Sequence, residues 1–378
     1  MSSSTFGPDD SRIVGVCNDG VSDVSSVSDR PGVSNGPGVC NGPGVCNGSN
    51  RSGVSDVSSV SDRSDRPGVS DRPDVSVHPE SSDVPRHPDP AGGPAASGAV
   101  GMPVVARRAM LIDAPGFRCN VIDEGAGEPV VWLHGLGGTW RDFAPQLDRW
   151  PEHVRCIVPE MRGHGRTPPT DGPMSTRTLA ADVQAVLGAL GVSHATVVGL
   201  SLGGMVAQVL AVDCPALVDR LVLVDTRQKV SRAVGVLLRV AARQVSSRGV
   251  PAALAMLDRI ARMAGQPWGA EAMRRARANG VAWQQRDLAS NDADVLARAM
   301  LALVDHDEHV PLARIDVPTL VVVGEDDPVV PPRAAAELAA AISGARLVVV
   351  PGAGHLPNRD RPEIFDGHLA AFLGVPLP

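Results

Sequence analysis

From Ala109 onward two apolar patterns alternate along the chain. Runs of four to seven mostly aliphatic residues predict strands at Met110–Asp113, Phe117–Asp123, Val130–Leu133, Val154–Val158, Thr196–Leu200, Arg220–Val224, Leu320–Val323 and Arg346–Val350. Several of these runs are apolar at nearly every position, as a strand covered on both faces must be. Between them, apolar residues recurring every three or four positions predict helices over Ser175–Leu190, Leu202–Val212, Pro332–Ile342 and Pro362–Phe372. The alternation predicts an α/β fold, a mostly parallel eight-stranded sheet with helices on both faces. One stretch, residues 227–304, reads as helices only. An all-helical insertion after a strand is expected to sit above the sheet edge as a cap.

The pattern is absent from residues 1–101. No Leu precedes Leu111, and Phe6 is the one aromatic residue in the first hundred. GVSDVSSVSDR occurs at Gly20–Arg30 and again at Gly53–Arg63, and NGPGVC at Asn35–Cys40 and Asn41–Cys46. These repeats lack the apolar positions that would let neighbouring units stack, so a disordered low-complexity tail is expected there. The chain is then read as a tail over residues 1–101 and one α/β domain over 102–378, with the cap at about 227–304. The first residues have neither a basic nor an apolar region of the kind a secretory signal needs. The uncharged run Ala195–Val212 contains Ser201, Gln208 and three glycines, and reads as strand, turn and buried helix, not as a membrane span.

Charge divides unevenly. The tail carries seven Arg against thirteen acids, a balance of −6, which leaves the domain at −1. That excludes the basic footprint of a nucleic-acid binder. Within residues 227–304, twelve Arg and Lys229 face five acids, so the cap is cationic and an anionic substrate is one expectation. Arg232, Arg239 and Arg243 share a helical face, which reads equally as a solvated surface. Cys119, Cys156 and Cys214 are too few and too scattered for a disulfide framework or a metal site, so a cytoplasmic location is expected. His306 and His309, among Asp305, Asp307 and Glu308, form an acidic cluster on a return from helix to strand, and no metal or other cofactor is expected there or elsewhere.

The strongest chemical signal is Gly199-Leu200-Ser201-Leu202-Gly203, set between a predicted strand and a predicted helix. A sharp strand-to-helix turn strains the serine, and its small neighbours let the chains approach, so the hydroxyl stands at the carboxyl edge of the sheet beside a helix N-terminus. A serine so placed needs a base, and His355 closes Gly352-Ala353-Gly354-His355 just after the last strand. The base needs an acid. Asp327 is preferred, three residues past the glycine that ends its strand; Asp326, and Asp225 after the preceding strand, are the alternatives. Two backbone N–H groups should hold the oxyanion. Leu202, following the nucleophile, supplies one, and Leu136 in His134-Gly135-Leu136-Gly137-Gly138 the other. His134 reads as a structural hydrogen-bonding residue. The loop Arg162-Gly163-His164-Gly165-Arg166 has no phosphate-binding spacing and reads as a turn lining the site.

Taken in order, HGLGG, RGHG, GLSLGG, GEDD and GAGH resemble the α/β-hydrolase superfamily over Ala109–Pro378. GLSLGGMVAQ and LVLVDT are similar to the 3-oxoadipate enol-lactonase branch and its esterase relatives. The resemblance implies hydrolysis of a carboxylic ester or lactone of a small molecule, without cofactor, under a helical cap. A lyase, a C–C bond hydrolase or a perhydrolase on the same scaffold is the alternative reading. The chain departs from that pattern at Glu160, where the superfamily usually has Asp, and at its oxyanion loop, where enol-lactonases often have Ser-Asn-Ser-Leu-Gly.

Overall fold

The structure is a computed structural model that describes residues 107–249, 291–306 and 310–378, together with the two-residue strand Ile13–Val14. The repeats of the tail, most of the centre of the cap and three members of the acidic cluster (Asp307, Glu308 and His309) lie outside the described residues.

Among the described residues nine strands form one sheet: β1 (Ile13–Val14), β2 (Ala109–Ala114), β3 (Phe117–Glu124), β4 (Pro129–Leu133), β5 (Arg155–Pro159), β6 (Ala195–Leu200), β7 (Val218–Val224), β8 (Thr319–Gly324) and β9 (Arg346–Val350). Their spatial order is β1-β9-β8-β7-β6-β4-β5-β3-β2. Strands β4 to β9 run parallel to one another, and the hairpin β2–β3 joins β5 antiparallel. The eight predicted strands are all present. Their ends differ by up to two residues because partners decide them: β7 begins at Val218 because Val218 pairs with Ala195 of β6. The ninth strand comes from the tail, where Ile13 and Val14 pair antiparallel with Val348 and Leu347. Two residues suffice, since an edge strand offers unpaired backbone groups whatever the partner's side chains.

Alternate residues of each strand enter opposite faces, which creates two cores. Val131, Leu133, Ile157, Val197, Leu221, Leu223, Val321 and Val323 pack with the helices α2 (Thr176–Ala189) and α3 (Leu202–Asp213). Val130, Trp132, Val158, Val198, Leu200, Val222, Val224 and Val322 pack on the other face. There the layer is α1 (Ala144–Leu147) and the C-terminal helix Pro362–Leu373, through Leu147, Phe365 and Leu369. Helix α3 is buried from Leu202 to Val212, which explains its uncharged sequence. No helix among the described residues is long and apolar enough to cross a membrane.

Two cap helices are described, α4 (Arg232–Arg248) and α5 (Ala293–Val304). Each starts on a side-chain cap. Ser231 accepts from the Val234 amide, and Asp292 from the amides of Asp294 and Val295. Their small faces, Ala241, Ala242 and Val245 against Leu296, Ala297 and Met300, form a third apolar cluster that also covers Leu136. Val295 of α5 packs over Gly163, where a Cβ would lie 2.4 Å from its side chain. The cap therefore rests on both glycine loops expected to line the site.

Trp132 is fully buried on β4, its ring 5.2 Å from Phe143 and 6.2 Å from Trp150. Trp132→Ala should cost about 3–5 kcal/mol, read as a lower denaturant midpoint with an unchanged slope. A midpoint within error of the wild type would mean that this aromatic cluster does not carry its face of the core.

Candidate active site

Ser201 occupies the turn between β6 and α3 at φ 52° and ψ −112°, outside the regions that side chains normally adopt. Neighbours enforce the strain. The Ser201 amide donates to the Val224 carbonyl at 2.9 Å, and the Thr226 hydroxyl donates to the Ser201 carbonyl at 2.8 Å. The turn closes this tightly because Gly199 and Gly203 face each other, a Cβ on Gly199 falling 2.4 Å from the Gly203 carbonyl oxygen.

Three side chains from three loops converge here. His355 places Nε2 3.1 Å from the Ser201 Oγ, and its Nδ1 lies 2.7 Å from Asp327 Oδ2. Asp327 Oδ1 accepts from the Val329 amide at 2.7 Å. Burial pushes the Asp327 carboxyl up, but the charge of His355 and hydrogen bonds from His355, Val330 and Val329 outweigh it and hold the group below the usual carboxylate range. Asp326 is exposed, so of the two neighbours only Asp327 faces the histidine. The loops that carry Asp327 and His355 are bound together through Glu325 N to Val350 O and Asp326 N to Ala353 O, both 2.9 Å.

Asp225, the third carboxylate considered, is also present. It follows β7 directly at φ 41°, is fully buried, and accepts from the Gly324 amide at 2.9 Å. Burial first, and then the charge of Asp327, raise it well above an ordinary aspartate. Polar atoms of Asp225, Asp327 and His355 lie within 4.8 Å of one another, the closest approach to a metal-binding set among the described residues. Within this cluster the His355 imidazole is hydrogen-bonded to Asp327.

The loop after β4 is anchored from below. The Gly135 amide donates to Asp142 Oδ2 at 3.1 Å, and Gly138 N closes a turn onto the Gly135 carbonyl. Gly135 lies against the Ser201 side chain, which brings Leu136, the next residue, to the mouth of the site. Leu202 is the first residue of α3, where an amide has no intrahelical acceptor. His134 Nε2 accepts from the Met161 amide at 2.9 Å, which leaves the proton on Nδ1, 2.9 Å from the Gly135 carbonyl. It is structural, as read from the sequence, and its ring packs 5.0 Å from that of His164. Glu160 accepts from Asn120 Nδ2 and the Arg166 amide, tying the second glycine loop to the sheet.

Asp142 and Asn358 were not singled out by the sequence. Asn358 donates to the Asp142 carbonyl (2.8 Å) and to Gln146 Oε1 (3.0 Å), and Gln146 donates to Asp366. This buried network joins the segment after His355 to Asp142 and α1. Its members come from positions more than 200 residues apart, so no local pattern marks them. Of the other histidines, His306 is buried on Thr176, and His368 lies half-buried in the C-terminal helix beside Arg346. Cys119 and Cys156 are buried, and burial pushes both thiols up to about 12.

The family model described as alpha/beta hydrolase fold matches residues 128–362. A Mycobacterium tuberculosis protein named for non-heme bromoperoxidase activity, BpoC, is 32% identical over 264 residues, 66% of this chain and 95% of the relative. The 3-oxoadipate enol-lactonase 2 of Acinetobacter baylyi is 28% identical over 244 residues, 65% of this chain and 88% of its own. Among solved structures, a thermophilic esterase from Thermogutta terrifontis is similar at 26% identity and a TM-score of 0.62, covering 71% of this chain and 98% of its own.

Burial first, and then the neighbouring His164, push His134 down from 6.5 to about 3. Between those values the unfolded chain binds a proton that the folded chain refuses, so stability should fall as pH drops from 6.5, by up to about 1.4 kcal/mol per unit. Urea titrations at pH 7 and pH 5 on wild type and His134→Asn should show a smaller acid loss in the variant. Equal losses would mean that His134 is protonated in the fold.

Proposed function

This chain belongs to the alpha/beta hydrolase fold family, and we propose that it is a serine hydrolase that cleaves a carboxylic ester or lactone of a small molecule through an acyl-enzyme. The observation that carries the reading is the unbroken hydrogen-bonded line Asp327–His355–Ser201, at 2.7 and 3.1 Å, ending on a strained serine. In this reading His355 takes the Ser201 proton as Oγ attacks the carbonyl, and Asp327 stays anionic to balance the imidazolium. The Leu136 and Leu202 amides hold the oxyanion, and the histidine proton passes to the leaving oxygen. Water, deprotonated by the same histidine, then releases the acid. No step calls for a cofactor.

The cationic cap supports an anionic substrate less directly than its charge count implies. On α4, Arg232, Arg239 and Arg243 are exposed, and Arg239 pairs with Asp305. Arg298 of α5 holds the Thr170 and Gly172 carbonyls. Arg227 is half-buried and faces Asp327, and six of the cap's twelve arginines lie outside the described residues. A carboxylate-bearing ester should then show a higher kcat/KM than its methyl ester, with a gap that closes as salt is added. Equal values at low salt would remove the anionic substrate.

The likeness to BpoC favours perhydrolysis as a second reading. There hydrogen peroxide replaces water at the acyl-enzyme and a peracid leaves. Turnover of p-nitrophenyl acetate set against peroxide-dependent halogenation on the same preparation separates the two.

Ser201→Ala should lower turnover by about four to six orders of magnitude and abolish fluorophosphonate labelling, and His355→Ala should cost nearly as much. Asp327→Asn should cost about three to four orders and Asp326→Asn little. Undiminished labelling of Ser201→Ala, or a larger loss from Asp326→Asn, would overturn the assignment.

A further inference from the structure

Asp225 is a buried acid that the hydrolytic steps do not use. It lies at the end of β7, the strand between those that carry Ser201 and Asp327. Its side chain is fully buried, and one of its oxygens is satisfied: Oδ1 accepts from the Gly324 amide at 2.9 Å. Oδ2 is buried and receives a hydrogen bond from no described donor. What stands near it is a second carboxylate, Asp327, with polar atoms of the two acids and of His355 within 4.8 Å of one another. The other charges nearby are Asp360, from the segment after His355, and Arg227, which is half-buried, faces Asp327 and donates to the Val329 carbonyl. The backbone, held at φ 41°, keeps the acid pointed inward, and its amide is fastened to the Val322 carbonyl at 2.9 Å.

Two anionic carboxylates this close and this dry repel strongly, and one of them must keep its proton. Asp327 has the better claim to the charge. It accepts from the Val329 amide and faces the imidazole, whereas Asp225 has one backbone amide and an oxygen with nothing to accept from. A proton on Oδ2 removes both difficulties. It cancels one charge and turns an orphan acceptor into a donor with an acceptor within reach.

We infer that Asp225 is a positioning residue: a neutral carboxylic acid that donates a hydrogen bond to Asp327 and so extends the Ser201–His355–Asp327 line by one member. It touches neither substrate nor the reacting atoms. The added donor keeps Asp327 a weak base, which holds the negative charge on the acid and the basicity of His355 down. The inference rests on the triad reading above.

The acid limb of the kcat/KM–pH profile reports the histidine of the free enzyme and tests this directly. Asparagine copies a neutral aspartic acid, with Oδ1 for the Gly324 amide and an N–H for Asp327. Asp225→Asn should therefore keep the acid limb where the wild type has it. Asp225→Ala removes the donor, makes Asp327 more basic, and should move the limb upward, with a loss of kcat of about tenfold. If Asp225 were ionised, both variants would delete a negative charge beside His355, and both limbs would move down by about a unit. That result overturns the inference, as does an alanine variant with an unmoved limb. Should the alanine variant not fold, the asparagine variant decides alone, and its own failure to fold also counts against a neutral acid. Fluorophosphonate labelling of Ser201 in the Asp225 variants keeps the two readings apart: it persists if only the role of Asp225 is wrong, whereas failure of the triad shows as labelling that survives in Ser201→Ala.

Discussion

The backbone of Ser201 is held at φ 52° by two hydrogen bonds from the neighbouring strand end, and the geometry of the whole site follows from that constraint. The turn is tolerable only because both flanking elements are buried and fully paired: β6 is covered on both faces, and α3 is buried along eleven successive residues. Strain persists where the surroundings over-determine it. Here they do so through Val224, the last residue of β7, and Thr226, just beyond Asp225. A second positive φ, at Asp225, thus lies one strand away from the first. The serine hydroxyl and the buried acid are presented by the same edge and the same pairing register.

The three loops that meet the serine are not independent of one another. Asp142 supports the oxyanion loop through the Gly135 amide, Asn358 bonds the carbonyl of Asp142, and Asp360 bonds the Gly354 amide directly before His355. The buried polar groups Gln146, Asn358 and Asp366 are linked by hydrogen bonds across the same region, with Trp150 and Arg149 also on Asp366. These bonds join the segment that follows His355 to the residues that follow the Gly135–Gly138 loop.

The cap adds enclosure by packing. Leu136 and Gly163 belong to the lower domain yet touch α4 and α5, and Asn291 donates to the Gly137 carbonyl at 3.0 Å. The surface arginines of α4 turn outward, as a single charged helical face does when small residues face the partner helix. A charge count along the chain cannot distinguish a cationic lining from a cationic exterior, because that depends on the direction each side chain takes from its helix.

The sequence by itself determined the order of strands and helices, and it marked Ser201 and His355 as the candidate nucleophile and base. These are local properties: hydrophobic period, glycine spacing and composition act within a few turns of chain. It also narrowed the acid to three carboxylates, of which Asp327 meets His355. Tertiary structure alone decided that Asp225 would be packed beside Asp327, that Asp142 and Asn358 would brace the loops, and that Ile13–Val14 would pair with β9. Each of those contacts joins residues roughly 100 to 335 positions apart. Their energies depend on burial and on which donor or acceptor the folded sheet brings opposite, and neither quantity exists until the strands have been placed side by side.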